Sequence, residues 1–466
     1  MSQQPITVAN YLRIRLEQLG IGHIFGVAGN YTAPFLDTIL EEKSPIKIVG
    51  TSTEMNGGHA ADAYARYNGY GAAFVTYSVG AFSLLNATAG SFVELAPVIV
   101  INGAPTNKEY SIEKNAGLLF SHSTGDEFVD LDVFKHVTVA AERVTDANQA
   151  PTQIDTILLA MMRSKKPVYL EVTEDVWRAD CGVPPIEPLA LNHEPFVSVS
   201  EVEEAVCAAI ALIQQRPKLL LWAGIELNRL GIEDKFIHLL EVLNEGRAKK
   251  QAFRFVTSFM SKSVIAETNP YFDSCRVIDK DIANDKEKKE VGCLLGLGGW
   301  TIDASVASRD IRGGGNILAA KGGVIVGGTF YPRVALGAFI DGLTKELKKI
   351  RKELSPIHPS PLPTPYPSKD KLPKRKDKLT FDMFFYALNG WIDDSHILLS
   401  GVGLTLSIAS FLKVPAQSGF LTQGAWLSIG YPVGAATGVK CAKPKKRAIV
   451  ALGDGCLLYT SDAADE

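Results

Sequence analysis

The segment Arg447-Ala-Ile-Val-Ala-Leu-Gly-Asp-Gly455 predicts a buried parallel strand that stops at a Gly-Asp-Gly turn. Such a strand would place the carboxylate of Asp454 at its C-terminal end, where open α/β sheets bind their ligands. Gly453 and Gly455 would let an anionic group approach the backbone closely, so Asp454 suits a hard cation such as Mg²⁺ that bridges to phosphate oxygens. Taken alone, the segment also fits an ordinary strand that is followed by an Asp-Gly turn.

The length and composition favour a globular enzyme of several domains. A chain of 466 residues predicts two or three domains, each with its own core. The net charge of −3 argues against a dedicated nucleic-acid binder. The six cysteines are dispersed and form no CxxC pair, which is typical of a reducing compartment. We therefore expect a cytoplasmic protein without a signal peptide, a membrane span or a nucleic-acid partner.

Apolar strand patterns alternate with helical patterns along the first 185 residues. A helical face formed by Val8, Leu12, Leu16 and Leu19 comes first. Short apolar segments follow at residues 24–27, 46–49, 72–77, 98–102 and 168–172. Continuous apolar strands separated by helices predict a parallel, doubly wound sheet. We place this first domain at residues 1–185.

Two further α/β units are predicted after a Pro-rich break near residue 185. The central unit, at residues 190–354, contains a helix at 200–213, strands at 219–222, 253–257, 293–296 and 315–320, and a closing helix at 330–341. Residues 355–378 combine prolines with Ser, Thr and Lys, which predicts a stretched polar linker. The last unit, at residues 379–455, contains a helix at 381–391 and the strand that ends at Asp454.

A second candidate carboxylate opens a helix in the first domain. Glu54 follows Thr51-Ser-Thr at the end of a strand and begins the sequence Glu-Met-Asn-Gly-Gly-His-Ala-Ala-Asp-Ala-Tyr-Ala-Arg, residues 54–66. A carboxylate in the first turn also complements the helix dipole, and the threonines can cap the helix. In isolation, Glu54 therefore fits a structural role as well as a chemical one.

The motifs, taken in order, resemble those of thiamine diphosphate enzymes. The set comprises residues 51–66, Val-Gly-Ala-Phe-Ser-Leu-Leu-Asn at 79–86, Pro-Val-Ile-Val-Ile-Asn-Gly-Ala-Pro at 97–105, and Gly-Asp-Gly at 453–455. Within these enzymes the chain looks most like the pyruvate/indolepyruvate decarboxylase group of 2-oxo acid decarboxylases, over residues 5–455. The resemblance implies three doubly wound parallel-sheet domains, the third incomplete. The first would bind the pyrimidine of the cofactor and the third its diphosphate and Mg²⁺, in a homodimer or homotetramer.

The resemblance also implies roles for the two carboxylates. Glu54 would be buried, would hydrogen-bond the pyrimidine ring and would favour its imino tautomer. Asp454, between Gly453 and Gly455, would hold Mg²⁺ against the diphosphate.

Three further positions would contact the cofactor by the same resemblance. Ile429 looks like the apolar residue that bends the cofactor, the carbonyl of Leu427 would receive its amino group, and Gly403 would line it. Ile429 fits equally the commoner use of isoleucine as a plain core residue.

The chain departs from the pattern of this family in the loops that would face the substrate. Asn30 stands where relatives carry an acidic residue, and Ser121-His122 stands where they carry a His-His pair. Residues 400–403, Ser-Gly-Val-Gly, replace an acidic-Thr pair. Amide and hydroxyl groups can still bind a substrate, but fewer ionisable groups remain to deliver a proton. We expect Asn30 and His122 to lie at the substrate, although His122 alone could be structural.

Residues 456–466 look like the conceptual translation of a sequencing adapter fused to an interrupted reading frame. We expect this tail to be non-native. The family's second Mg²⁺ ligand and a later substrate-facing Glu follow the Gly-Asp-Gly motif, so we expect weak metal binding and feeble or no activity from this chain.

The function predicted for the intact protein is non-oxidative decarboxylation of a 2-oxo acid to an aldehyde and carbon dioxide. The substrate would be of the pyruvate, indolepyruvate or phenylpyruvate class. Asn30 and the single His122 leave a carboligase of the acetolactate-synthase kind as an alternative. A catalytically inert binding protein is the third possibility. The glycine-rich residues 296–299 and 313–316 lack the acidic residue of a dinucleotide fingerprint.

Overall fold

The computed structural model describes residues 6–182, 184, 187–191, 197–279, 282–285, 290–307, 309–359 and 378–460. Its first unit combines residues 1–194 with residues 426–466, and its second unit spans residues 195–425. The segment predicted as a third domain is thus divided between the units at residue 425, and the three-domain division stays a prediction. Most of the predicted polar linker, residues 360–377, lies outside the described residues, as do residues 461–466 of the predicted tail.

The N-terminal part of the first unit alternates helices and strands. Its strands are β1 (His23–Gly26), β2 (Lys47–Gly50), β3 (Gly71–Thr76), β4 (Val98–Ala104), β5 (Ala141–Val144) and β6 (Val168–Thr173). Its helices are α1 (Val8–Gln18), α2 (Ala33–Glu41), α3 (Glu54–Asn68), α4 (Val79–Val93), α5 (Asn107–Ala116), α6 (Val129–Lys135), α7 (Ala150–Ser164) and α8 (Glu174–Trp177). The strands form one parallel sheet in the order β2-β1-β3-β4-β6-β5.

Both faces of this sheet are covered, which confirms the predicted doubly wound arrangement. Alternate residues of β3 point to opposite faces, as the pleat requires. Ala72 and Phe74 join the hydrophobic cluster that includes α1, α2 and α7, whereas Ala73 and Val75 join the cluster under α3 and α4. All seven residues of β4 are buried, as expected for a central strand of a parallel sheet.

The second unit contains a larger mixed sheet. Its helices are α9 (Val199–Gln215), α10 (Glu226–Leu230), α11 (Glu233–Asn244), α12 (Leu336–Ile350), α13 (Phe381–Trp391) and α14 (Leu404–Ala409). Its strands are β7 (Lys218–Ala223), β8 (Phe255–Thr257), β9 (Phe272–Cys275), β10 (Asn284–Asp285), β11 (Glu290–Val291), β12 (Cys293–Leu297), β13 (Ile317–Ala320), β14 (Gly323–Val326), β15 (Thr329–Tyr331), β16 (Ser355–Pro356), β17 (His396–Ser400) and β18 (Phe420–Leu421). The main order is β15-β14-β13-β12-β7-β8-β9, with β16 beside β7, and β17 pairs with β18 in parallel.

The helix predicted at residues 330–341 was wrong at its start, because Phe330 belongs to β15 and α12 begins at Leu336. β14 and β15 pair antiparallel across Gly327 and Gly328, whose φ angles are 55° and 99°. A two-residue turn with both φ angles positive matches the twist of a hairpin and favours glycine. The Gly-Gly turn therefore directs the residues after it into strand β15, although their apolar pattern suggested the start of a helix.

The C-terminal part of the first unit consists of α15 (Tyr431–Ala442), β19 (Arg447–Ala451) and α16 (Asp454–Thr460). α15 packs against α3 so closely that their backbone atoms are in contact. A Cβ atom on Gly434 would lie 2.6 Å from the carbonyl oxygen of Asn56, and one on Gly438 would overlap the carbonyl oxygen of Ala60. Glycine at these two positions is therefore what allows the helices to approach so closely.

β19 is only partly buried, so the prediction of a fully buried strand was wrong. Arg447 and Val450 are exposed, and the other three residues are partly covered. A parallel strand becomes buried only where layers cover both faces of its sheet. Asp454 begins α16, so the chain continues into a helix and not into a simple Asp-Gly turn.

Within the described ranges, none of the helices combines the length and the apolar character that crossing a membrane requires.

Candidate functional site

Three neighbouring strand ends of the first unit bring together residues that the sequence placed far apart. β2, β1 and β3 are adjacent and parallel, so their carboxyl ends lie at one edge of the sheet. Asn30 begins a short 3₁₀ helix after β1, Glu54 begins α3 after β2, and Gly80 lies in the first turn of α4 after β3. Two of the three predicted catalytic residues therefore sit at the edge where such sheets bind ligands.

Glu54 is held at the start of α3 and faces a gap left by a glycine. The Thr53 hydroxyl accepts a hydrogen bond from the Asn56 backbone N–H at 3.2 Å and caps the helix. A Cβ atom on Gly80 would lie 3.5 Å from Oε1 of Glu54 and 3.2 Å from Cγ2 of Thr76. Glu54 is partly exposed, which corrects the expectation of a buried side chain and follows from its place at the open edge of the sheet. The carboxylate is thus accessible to a ligand.

An aromatic row connects the loops of the other two predicted catalytic residues. The Tyr31 and Tyr77 rings meet edge to face at a centroid distance of 5.2 Å, and the Tyr77 and His122 rings do so at 5.8 Å. The Tyr77 hydroxyl donates a hydrogen bond to the Ser121 carbonyl oxygen. Burial raises the pKa of Tyr77, which keeps this hydroxyl protonated. The structure therefore brings the Asn30 turn and the His122 loop together.

Both Asn30 and His122 are exposed on this row. His122 has a φ angle of 71°, which is uncommon for a residue with a side chain. Residues in sparsely populated backbone conformations cluster at functional sites, so this angle agrees with the predicted place of His122 at the substrate.

The turn at residues 426–429 presents apolar side chains to the surface. Leu427 is 41% exposed and Ile429 is 46% exposed, so the alternative of Ile429 as a plain core residue is wrong. Leu427 has a φ angle of 63°. An exposed apolar pair on strained backbone suits contact with a ligand better than packing in a core.

Asn86 holds the turn at residues 426–429 beside the start of α3 through hydrogen bonds. Its side-chain oxygen accepts a hydrogen bond from the Trp426 indole N–H at 3.0 Å, and its amide nitrogen donates to the Ser428 hydroxyl at 3.3 Å. The same nitrogen lies 3.7 Å from Sδ of Met55, the residue after Glu54. The neighbourhoods of Glu54 and of Leu427 and Ile429 thus meet at one side chain. The sequence did not single out Asn86, although it ends the 79–86 motif.

A buried polar cluster fixes α15 and the turn to the first domain. Asp62 accepts hydrogen bonds from the Tyr431 hydroxyl at 2.7 Å and the Ser91 hydroxyl at 2.9 Å, and it pairs with Arg66 at 2.7 Å. Glu94 accepts the Trp426 backbone N–H at 3.0 Å. Burial opposes the charge of Arg66, but the acidic neighbours raise its pKa overall. The 54–66 motif therefore supplies an anchor as well as Glu54.

The metal-binding prediction rests on Asp454 alone. Asp454 is exposed at the first position of α16, and its Oδ1 accepts a hydrogen bond from the Gly455 backbone N–H at 2.9 Å. A Cβ atom on Gly455 would meet open space, and Gly453 is also exposed. In the part of the chain that the structure describes, no group of three His, Cys, Asp or Glu side chains is arranged to hold a metal ion. The Mg²⁺ assignment stays a prediction.

Gly403 lies in the second unit, where it precedes α14 with a φ angle of 84°. A residue with a Cβ atom rarely adopts this conformation. The loop therefore depends on glycine, and its predicted contact with a cofactor stays a prediction.

The residues of the first unit fit thiamine diphosphate in kind. An accessible carboxylate, a polar amide and an exposed apolar turn suit an aromatic heterocycle that carries ring nitrogens and an amino group. Asp454 offers a hard oxygen ligand near a helix start, which suits a cation that bridges to phosphate.

Two protein-family models match the chain. The N-terminal TPP-binding domain of thiamine pyrophosphate enzymes matches residues 6–131, and the C-terminal TPP-binding domain matches residues 401–464. The first match contains Asn30, Glu54 and His122, and the second contains the remaining predicted cofactor residues. The second match runs past Gly455, where we expected the resemblance to end.

Curated proteins with decarboxylase names are similar to nearly the whole chain. A probable pyruvate decarboxylase of Schizosaccharomyces pombe is 29% identical over 98% of this chain and 79% of its own length. An indole-3-pyruvate decarboxylase of Azospirillum brasilense is 28% identical over 97% of this chain and 79% of its own length. Pyruvate decarboxylase 2 of Arabidopsis thaliana is 26% identical over 98% of this chain and 74% of its own length. The two matched cofactor-binding domains and the doubly wound fold agree with these similarities, so the chain is similar over nearly its whole length to thiamine diphosphate-dependent 2-oxo acid decarboxylases, as its motifs predicted.

Proposed function

We propose that the protein decarboxylates a 2-oxo acid of the pyruvate, indolepyruvate or phenylpyruvate class to an aldehyde and carbon dioxide, with thiamine diphosphate and Mg²⁺. The observation that carries the proposal is the meeting of the Glu54 neighbourhood with the 426–429 turn at Asn86. The names of the similar proteins support the reaction class.

In this proposal the residues of the chain bind and orient the cofactor. Thiamine diphosphate, when bound, supplies a nucleophilic carbon and takes up the electron pair that remains after carbon dioxide leaves. The Glu54 carboxyl group, at Oε1 or Oε2, would hold or release the proton shared with a ring nitrogen of the bound cofactor. Ile429 would support the rings, the Leu427 carbonyl oxygen would accept an amino N–H, and Gly403 would line the cofactor. Asp454 contributes one oxygen ligand to Mg²⁺.

Asn30 and His122 act on the substrate in this proposal. The Asn30 amide can donate a hydrogen bond to the substrate carboxylate but cannot deliver a proton. The His122 imidazole can both donate a hydrogen bond and carry a proton on a ring nitrogen. Proton delivery would therefore depend on His122, which the Tyr77 ring supports.

We also propose that the enzyme acts in the cytoplasm as a homodimer or homotetramer on a small-molecule substrate, without a nucleic-acid or membrane partner. Family resemblance supports the assembly, and the near-neutral net charge supports the absence of a nucleic-acid partner. The feeble activity of this chain and the non-native character of residues 456–466 stay predictions.

A product assay tests the reaction. The intact protein, to which the predicted decarboxylation applies, is incubated with pyruvate, thiamine diphosphate and Mg²⁺, and acetaldehyde and acetolactate are both quantified. We expect acetaldehyde as the main product and a Glu54→Gln rate at least ~100-fold lower, the usual contribution of a general acid or base. Glu41→Gln, an exposed carboxylate on α2, is the control and should leave the rate unchanged. Acetolactate as the sole product would overturn the proposal in favour of a carboligase.

A further inference from the structure

The start of α4 is strained. Ser78 precedes the helix with φ 50° and ψ −82°, a conformation that a residue with a Cβ atom disfavours. Ser78 is buried, and its side chain does not cap the helix that follows it. Residues persist in such conformations only where their surroundings hold them there.

Asp130 on α6 holds Ser78 in this conformation. Its Oδ2 accepts the Ser78 backbone N–H at 2.5 Å, and its Oδ1 accepts the Ser78 hydroxyl at 3.1 Å. The Asn102 side-chain amide also donates to Oδ2, at 3.2 Å. Hydrogen bonds to an ionised acceptor are among the strongest in proteins. The carboxylate of Asp130 thus receives three donors at a buried position.

A buried polar network on β4, β5 and β6 supports Asp130. Asn102 donates to the Tyr169 hydroxyl at 2.6 Å, and that hydroxyl donates to Glu171 at 2.8 Å. Glu171 pairs with Arg143 at 3.0 Å. Burial raises the pKa of Asp130, while its hydrogen bonds and Arg143 act in the opposite direction. The network orients Asp130 without using any residue of the proposed reaction.

Ser78 lies two positions before Gly80, the residue of α4 that faces Glu54. Gly80 is in the first turn of α4, and a Cβ atom there would lie 3.5 Å from Oε1 of Glu54. A shift of Ser78 would carry Gly80 with it, because both belong to the same tight entry into the helix. The distance between the Glu54 carboxylate and its surroundings therefore depends on the Ser78 conformation.

We propose that Asp130 is a positioning residue for the cofactor site, which fixes the strained Ser78 and through it sets the wall of α4 that faces Glu54. The expected effect on thiamine diphosphate binding rests on the proposed function. The role of Asp130 in fixing Ser78 and the start of α4 rests only on the geometry of this chain.

Asp130→Asn tests the inference on the whole chain. The asparagine side chain would place an N–H group where the Ser78 and Asn102 donors meet a carboxylate oxygen in the unsubstituted protein. We expect amide hydrogen exchange at residues 78–82 to accelerate at least about tenfold, as loss of hydrogen bonds to a charged acceptor predicts. Calorimetric titration with thiamine diphosphate in Mg²⁺ should show affinity at least about tenfold weaker. Asp132→Asn, an exposed residue on the same helix that pairs with Lys135, is the matched control and should change neither measurement.

A second substitution separates positioning from general stability. Glycine adopts positive φ without strain, so Ser78→Gly in the Asp130→Asn background should restore most of the protection and affinity. Faster exchange throughout the first unit without such rescue would overturn the inference, and so would an Asp130→Asn protein with unchanged exchange at residues 78–82. If the unsubstituted chain does not bind thiamine diphosphate, the proposed function and the cofactor half of the inference fail together. The exchange result still decides whether Asp130 holds α4.

Discussion

His59 lies fully buried between α3 and α15, with its ring edge to face against Tyr431 at 5.3 Å. Among the described residues, neither ring nitrogen has a hydrogen-bond partner. Burial lowers the pKa of His59 to about 4, with Asp62 opposing that change and Arg66 adding to it. The imidazole is therefore neutral in the folded protein, and protonation must weaken the contact between the two helices.

The pH dependence of stability follows from this residue. A folded pKa of about 4, below the ordinary 6.5, means that the unfolded chain binds the proton more tightly. Stability is then fully present above pH 6.5 and is lost as the pH falls toward 4, by on the order of 3 kcal/mol. His59→Phe should remove this acid-induced loss in urea unfolding at several pH values between 7.5 and 4.5.

A control variant and a common background make the comparison between His59→Phe and the unsubstituted chain specific to His59. His136→Phe, at an exposed position, should keep the unsubstituted protein's pH dependence. Burial raises the pKa of Glu171 to about 7, so its contribution to the free energy of unfolding falls as the pH rises. This contribution is the same in the unsubstituted chain and in both variants. Parallel stability curves for His59→Phe and the unsubstituted chain would rule out the buried imidazole as the cause.

Single residues were predictable from sequence where a local motif gives them a place. Glu54 and Asn30 follow apolar strand patterns, so their position at the sheet edge could be predicted. Asn86 and Asp130 could not, because their roles depend on partners distant in the chain. The Asn86–Ser428 hydrogen bond joins residues 342 positions apart, and that between Asp130 and Ser78 joins residues 52 positions apart.

The packing of α15 on α3 is the element-scale feature on which the site depends. α15 follows the turn that carries Leu427 and Ile429, and α3 begins with Glu54. The two helices approach at Gly434 and Gly438, where a side chain would meet backbone atoms. Their separation therefore fixes how the turn is presented relative to the start of α3.

Gly438→Ala should weaken this packing. The added Cβ atom would collide with the Ala60 carbonyl oxygen, so the helices must move apart. Overpacking of this kind lowers the free energy of unfolding by about 1–3 kcal/mol, which exceeds the gain in helix propensity from alanine. Chemical denaturation followed by circular dichroism measures the change. Thr437→Ala, exposed at the neighbouring position, should leave stability nearly unchanged; an equal effect of both would contradict the close packing.

Elements were predicted best where apolar runs are continuous. Five of the six strands of the first sheet were predicted, because strands of a parallel sheet that is covered on both faces form continuous apolar runs. β5, with Glu142 and Arg143 at its centre, was missed because its sequence is half polar. β15 was mistaken for a helix start, since the Gly-Gly turn before it was not used as a hairpin signal.

At the scale of the whole molecule, the family resemblance could be predicted from sequence, whereas the grouping of segments into the two compact units could not. Ordered motifs spread over the chain were enough to predict the similarity to thiamine diphosphate-dependent decarboxylases, because each motif depends on local sequence. Residues 379–425 group with the second unit and residues 426–460 with the first, a division that follows from long-range packing such as that of α15 on α3. No local pattern contains that information.

Thiamine diphosphate must bind beside Glu54 if the proposed function is right, and isothermal titration of the chain with the cofactor in Mg²⁺ measures this binding directly. We predict saturable binding that weakens at least about tenfold in Glu54→Gln, since a hydrogen bond to a charged group is lost, and that is unchanged in the exposed control Glu41→Gln. Absence of binding, or equal affinity in Glu54→Gln and the unsubstituted chain, would contradict the proposed function.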